Sequence, residues 1–195
     1  MKNIIFTTRN KHKIEEVAQL VNESISVGGL DDIHCEDELP ETSGTIKGNA
    51  IEKAKFVFDN YHGINCFSED TGLEIDALNG APGVDTAFYA GKDRNDRNNM
   101  NLVLEQMKDC SERTARFRTV IALYWNAELH LFEGICEGVI DTKINEGAQG
   151  FGYDPIFIPQ GFTVSFAQMP ADVKNTISHR GKAVKQLIDF LLSND

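Results

Sequence analysis

Two adjacent carboxylates, Glu69 and Asp70, end an apolar run that begins at Cys66 and Phe67, and Thr71-Gly72 follows at once. The run reads as a buried strand and the Thr-Gly pair as the bend that ends it. Side chains alternate across a strand, so the two acids face opposite ways and only one addresses a given cleft. An acid placed there either closes the turn, a common use of Asp, or holds a metal or moves a proton. Glu41, in E-T-S-G just ahead of a helix, has the same kind of double use, as helix cap or metal ligand. Lys53 lies within that helix, its stem suited to packing and its ammonium to reaching a cleft.

Cations gather in two other places. Arg9, Lys11, His12 and Lys13 crowd the start of a helix, where the positive end of the dipole opposes each of them by about 0.3–1 kcal/mol. A bound anion reverses that sign, and free N–H groups with Thr8 and Asn10 beside them make a phosphate cradle. The plainer reading of the same run is a solvated basic loop. The pattern recurs near the C-terminus, where Lys174, His179, Arg180 and Lys182 surround a second helix start with Ser178 as its N-cap. Residues 147–159, G-A-Q-G-F-G-Y-D-P-I-F-I-P, lack the third glycine of a dinucleotide fingerprint, and Pro155 blocks a helix there. Gly150 and Gly152 let Phe151 and Tyr153 approach a flat ligand, with Asp154 to accept hydrogen bonds from a base edge; the competing use of these rings is to fill core. No G-x-x-x-x-G-K-S/T motif occurs. Two phosphate-type sites, a segment for a planar ring and a pair of acids together describe a nucleoside triphosphate with a divalent cation, magnesium bridging Asp70 or Glu41 to the ligand.

The elements that must position these residues alternate between strand and helix. Asn3 to Thr7 reads as a buried strand, Lys13 to Val21 as a helix with Ile14, Val17, Ala18 and Val21 on one side, and Ser24 to Leu30 as a second strand. Thr45 to Phe58 and Asp93 to Met107 read as helices, Gly80 to Gly83 as a turn, and the last helix buries Ala183, Val184, Leu187, Ile188 and Leu191. Ala115 to Trp125 alternates, with Ala115, Phe117, Ile121, Leu123 and Trp125 on one face and Arg116, Arg118 and Tyr124 on the other. Asn126-Ala127-Glu128 turns it into Leu129 to Ile140, a long antiparallel hairpin whose exposed apolar residues suit a homodimer contact. At 195 residues the chain is expected to form one domain with two lobes, enough to bury roughly 70% of its unfolded surface. A formal net charge of −11 argues against nonspecific nucleic-acid binding, which needs a basic surface. The N-terminal apolar run is too short for a signal peptide or membrane span, so the expected location is the cytoplasm with no membrane partner. Cys35, Cys66, Cys110 and Cys136 form no C-x-x-C pair and are expected as thiols.

Thr8-x-Asn10-x-x-Lys13, Glu69-Asp70-Thr71-Gly72-Leu73, Gly80-Ala81-Pro82-Gly83, Gly150-Phe151-Gly152-Tyr153-Asp154-Pro155 and Ser178-His179-Arg180 stand in one order along the chain. In them the sequence resembles the inosine triphosphate pyrophosphatase family, also called Ham1-like or XTP/dITP pyrophosphatases, from residue 4 to residue 190. The resemblance implies a single domain over 1–195, an α/β fold with a mixed twisted sheet, flanking helices and two lobes around a central cleft, and a typical homodimer. It implies a magnesium-dependent hydrolase that converts ITP, dITP and XTP to the monophosphate and pyrophosphate. Under it, Thr8, Arg9, Asn10, Lys11, His12, Lys13 and Lys53 hold phosphates, and Asp70 is proton acceptor and metal ligand with Glu41 nearby. Thr71 touches substrate, Phe151, Gly152, Tyr153 and Asp154 frame base and sugar, and Lys174, His179 and Arg180 complete the pocket. One departure stands out: Thr86-Ala87-Phe88-Tyr89 replaces the family's usual Ser-Ala-Arg-aromatic, so a ring occupies the place of a cation. A nucleotide sensor that binds without hydrolysis is the rival reading, and the acid pair is what separates the two.

Overall fold

The computed structural model describes residues 2–21, 23–147 and 150–194. Among the described residues seven strands, β1 (Lys2–Phe6), β2 (Ile25–Gly28), β3 (Cys66–Ile75), β4 (Pro82–Gly83), β5 (Thr114–Trp125), β6 (Glu128–Ile140) and β7 (Phe157–Pro159), form a mixed sheet in the order β2-β1-β3-β5-β6-β7, with β4 paired to β3. The chain folds as two compact units. One comprises residues up to Asp70, Thr119–Gly134 and the residues from Arg180 onward; the other comprises Thr71–Arg118 and Ile135–His179. No helix among the described residues is long and apolar enough to cross a membrane.

In the first unit β1 (Lys2–Phe6) runs parallel to β2 (Ile25–Gly28), Ile4 opposite Val27, and parallel to β3 (Cys66–Ile75), Phe6 opposite Phe67. Parallel strands need crossovers, and α1 (Lys11–Leu20) and α2 (Ile46–Asn60) lie in them. Phe6 stacks on Phe67 with centroids 4.4 Å apart. Ile4, Val17 of α1, Ile121 and Leu123 of β5 (Thr114–Trp125), and Val184 and Leu187 of α5 (His179–Ser193) close one core around them. Ile46, Ala50 and Ala54 of α2 pack a second core against Val120 and Ala122. The small residues let the α2 backbone come close enough that the Ser68 hydroxyl donates to the Ala50 carbonyl. This second core corrects the expected half-polar β5: Val120 to Leu123 are all buried. The turn from β5 to β6 (Glu128–Ile140) has two residues, Asn126 at φ 50° and Ala127 at φ 67°, the left-handed pair that matches the twist of a hairpin.

In the second unit β4 (Pro82–Gly83) pairs antiparallel with β3, Leu73 opposite Gly83, and β7 (Phe157–Pro159) pairs antiparallel with β6, Gly138 opposite Pro159. Leu73, Met100 and Val103 of α3 (Asp96–Gln106), Phe117, Phe157 and Phe166 form its core, each fully buried Phe or Leu contributing about 1.5–3 kcal/mol. Three expectations are corrected here. Thr71-Gly72 is not a bend: β3 continues to Ile75, because pairing with β4 and the bond from Leu73 N–H to Thr86 Oγ1 at 2.9 Å hold it extended. The helix expected from Asp93 begins at Asp96, since Asn95 takes the N-cap place and accepts from Asn98 N–H at 3.0 Å. Likewise Pro82–Gly83, read from the sequence as turn, is strand. All four cysteines are thiols; burial pushes the Cys66 thiol up to about 12.

Candidate active site

β3 and α2 bring three sequence-selected residues of the first unit together. Lys53, buried on α2, donates from Nζ to Glu41 Oε1 at 2.7 Å and to Asp70 Oδ1 at 2.9 Å. Two carboxylates around one ammonium carry a net charge of −1. Burial raises the Asp70 carboxyl above its ordinary range, against the pull of Lys53. Burial would lower Lys53, yet Asp70 and Glu41 together hold its ammonium above the usual value. Among the described residues no group of three His, Cys, Asp or Glu is arranged for a metal. Glu41 and Asp70 still fit magnesium, which takes one or two carboxylates and completes its shell with water and phosphate oxygens.

Glu69, the neighbour of Asp70 on the strand, serves different partners, as the alternation requires. Its carboxylate lies 3.1 Å from Lys13 Nζ and accepts from Arg180 Nε and Nη2, each at 2.8 Å. Arg180 also pairs with Glu16 of α1. Burial pushes the Glu69 carboxyl up, but the Arg180 and Lys13 charges outweigh it and hold it well below the carboxylate range. Burial pulls the Lys13 ammonium below its ordinary value, opposed by Glu69. The cations of the two helix starts thus meet at one buried acid. Glu69 and Glu16 supply the negative charge that the sequence reading assigned to a triphosphate alone.

The loop from Thr8 to Lys13 is built largely by its own groups. Asn10 Oδ1 caps α1 by accepting from the His12 and Lys13 amides at 3.0 and 3.3 Å, and Thr8 Oγ1 accepts from Asn10 N–H at 3.2 Å. Arg9 does not point to the mouth of the helix; it donates to the carbonyls of Cys35 at 2.6 Å and Asp37 at 3.0 Å. Lys11 and His12 are exposed.

In the second unit Asp154 is buried and closes its own turn. Its Oδ2 accepts from Phe151 N–H at 2.9 Å and from Lys174 Nζ at 2.7 Å. Gly150 has φ 88°, and a Cβ there would stand 2.3 Å from that same oxygen. Gly152 N–H donates to Asp96 at 2.8 Å. Tyr153, expected to approach a ligand, is 2% exposed in the core and donates its hydroxyl to the Thr86 carbonyl at 2.9 Å. Phe151 is half-buried, its ring centroid 5.6 Å from Lys174 Nζ. Lys174 lies within α4 (Ala171–Ile177), not at the start of the last helix. His179 is buried, stacked on Phe117 at 4.5 Å. Thr71 lies on β3. Ala148 and Gln149 of the glycine-rich run lie outside the described residues. Sequence reasoning missed Glu16 and Asp96. Both are polar residues on helices, and their partners lie 164 and 56 residues away.

A model of the Ham1 family matches residues 4–190. A dITP/XTP pyrophosphatase of Flavobacterium johnsoniae is 49% identical over 188 residues, covering 96% of this chain and 97% of the relative. The dITP/XTP pyrophosphatase of Porphyromonas gingivalis is 48% identical over 193 residues, 98% of each chain. Among solved structures, a HAM1 protein of Coxiella burnetii superposes with a TM-score of 0.90 at 36% identity, and the Ham1 protein of Staphylococcus aureus with 0.90 at 31%, each over the full length of both chains.

Proposed function

The chain belongs to the Ham1 family, and on that premise we propose that it hydrolyses deaminated purine nucleoside triphosphates, ITP, dITP and XTP, to the monophosphate and pyrophosphate with magnesium. The observation that carries the reading is the pair of carboxylates, Glu41 and Asp70, gathered on one buried ammonium.

Asp70 takes the proton of the attacking water. A carboxylate whose affinity for protons is raised by burial is a better general base than an exposed one. Glu41 and Asp70 would hold the magnesium ion, which when bound would neutralise phosphate charge and polarise the phosphoryl oxygens. Lys53 keeps the two acids in place and offers its remaining N–H to a phosphate oxygen. Thr8, Asn10, Lys11, His12 and Lys13 bind the triphosphate, with charge developing on it met by Lys13. Phe151 offers its half-buried ring to the base, on the turn that Gly152, Tyr153, Asp154 and Lys174 hold. A donor placed at the 6-oxo group of the base discriminates against adenine, whose amino group would leave that donor unpaired. The protein acts in the cytoplasm as a homodimer, for which the exposed Leu129 and Leu131 of the hairpin supply apolar surface.

The test is product analysis with ITP, XTP, ATP and GTP, with and without magnesium. Pyrophosphate and monophosphate from ITP and XTP, at least about tenfold faster than from ATP, is the expected result. Orthophosphate as first product overturns the pyrophosphatase reading, and binding of ITP without any product makes the protein a sensor.

A further inference from the structure

Glu41 is carried by residues 35–45, a stretch with no helix or strand of its own. A carboxylate on such a segment is only as well placed as the ties on either side of it. Downstream the ties come from α2: Glu52 Oε2 accepts from the Thr42 and Ser43 amides at 2.7 and 3.2 Å, and Asn49 Oδ1 accepts from Ser43 N–H at 3.2 Å. Upstream they come from two other side chains. Tyr61 donates its hydroxyl to Asp37 Oδ2 at 2.7 Å, and Arg9 donates from Nη2 to the Cys35 carbonyl at 2.6 Å and from Nη1 to the Asp37 carbonyl at 3.0 Å. Arg9 belongs to the loop that carries Thr8 and Asn10 ahead of α1. It is therefore a direct link between that loop and the segment bearing Glu41.

We propose that Arg9 is a positioning residue for Glu41: its guanidinium, spanning two carbonyls, sets the upstream end of the stretch from which Glu41 reaches Lys53 and, with Asp70, a divalent cation. The proposal rests on the metal reading above. The geometry requires the guanidinium fork. Two N–H groups on different nitrogens reach two carbonyls two residues apart, whereas a lysine offers one point charge and keeps one of the bonds at best. The same link makes the order of the Thr8 to Lys13 loop and the placement of the metal carboxylate rise and fall together.

The experiment titrates manganese, a probe for magnesium that suits carboxylate ligands, into nucleotide-free wild type, Glu41→Gln, Arg9→Ala, Arg9→Lys and the Arg9→Ala/Glu41→Gln double variant by calorimetry. Amide exchange over residues 35–45 is followed in parallel, and thermal melting shows that each variant is folded. Glu41→Gln is expected to weaken manganese binding, Arg9→Ala to weaken it about three- to tenfold, the range set by one or two lost hydrogen bonds, and Arg9→Lys to fall between. The double variant binds no more weakly than Glu41→Gln, and exchange at 36–41 accelerates in Arg9→Ala. Wild-type manganese affinity and unchanged exchange in Arg9→Ala, beside a weakened Glu41→Gln, overturn the proposal while leaving the metal reading intact. Unchanged affinity in Glu41→Gln overturns both, so the two failures are told apart.

Discussion

Replacing Glu69 with Gln removes one charge from a row of four that alternates in sign: Glu16, Arg180, Glu69, Lys13. The substitution keeps the shape of the side chain, so its cost is electrostatic. Glu69 and Arg180 are each 2% exposed, and the carboxylate receives two bonds of 2.8 Å from the guanidinium and one contact of 3.1 Å from the ammonium. Charge-assisted bonds are worth about 1.5–3 kcal/mol each, but they do not add. Removing one member of a buried pair costs about 3–5 kcal/mol, because the cation left behind is uncompensated. The remaining Glu16 and the Gln carbonyl offset part of this, so the expected loss is about 3 kcal/mol, more than a hundredfold in the folding equilibrium. Urea unfolding at pH 7 measures it. The acid dependence follows from the depressed Glu69 carboxyl. Its pairing stabilises the fold fully above the ordinary value of 4.5, and this contribution is lost as pH falls from there through the lower folded value. The gap between wild type and Glu69→Gln therefore narrows on acidification. A loss under about 0.5 kcal/mol at pH 7, or a gap that widens in acid, refutes the reasoning.

Gly150→Ala is expected to lower stability by more than Gly152→Ala. Both sites have positive φ, costing about 1–3 kcal/mol for a non-glycine residue. The new methyl at 150 also strikes Asp154, whereas at 152 it meets nothing within 4 Å; equal melting temperatures would show that the contact is relieved without cost. A thiol reagent is expected to label Cys110 in the native protein and Cys35, Cys66 and Cys136 only on unfolding, since Cys110 alone of the four is not buried. Rapid labelling of all four would contradict the packing described.

The strands and helices were legible wherever periodicity met burial, as in β1, α2 and the long hairpin. Local signals failed where tertiary pairing outweighed them. Thr71-Gly72 has the composition of a bend, but β4 and Thr86 give its strand partners that a short window does not contain. The alternation of β5 hid the second core, because Val120 and Ala122 acquire their burial from α2 and not from their neighbours in sequence. At the site, the residues carrying charge were identifiable by type, and the fold gathers Lys53 with Asp70 and Glu41. Their pairing was not legible. Lys13 and Arg180 lie 167 residues apart in sequence and share Glu69, a convergence that only the fold produces. Arg9 has the charge of a phosphate ligand, and what distinguishes it is the two carbonyls it faces. Tyr153 and Asp154 sit in a run suited to ligand binding by composition, and their burial decides otherwise for the ring and hydroxyl of Tyr153.

The measurement that bears most directly on Asp70 as the group that activates water is the rate of pyrophosphate release from ITP with magnesium, compared between wild type and Asp70→Asn, with ITP binding and folding checked in both. The expected result is release by the wild type and a rate lower by about 10²–10⁴-fold in the variant, with binding retained. Pyrophosphate release by Asp70→Asn at the wild-type rate would contradict it.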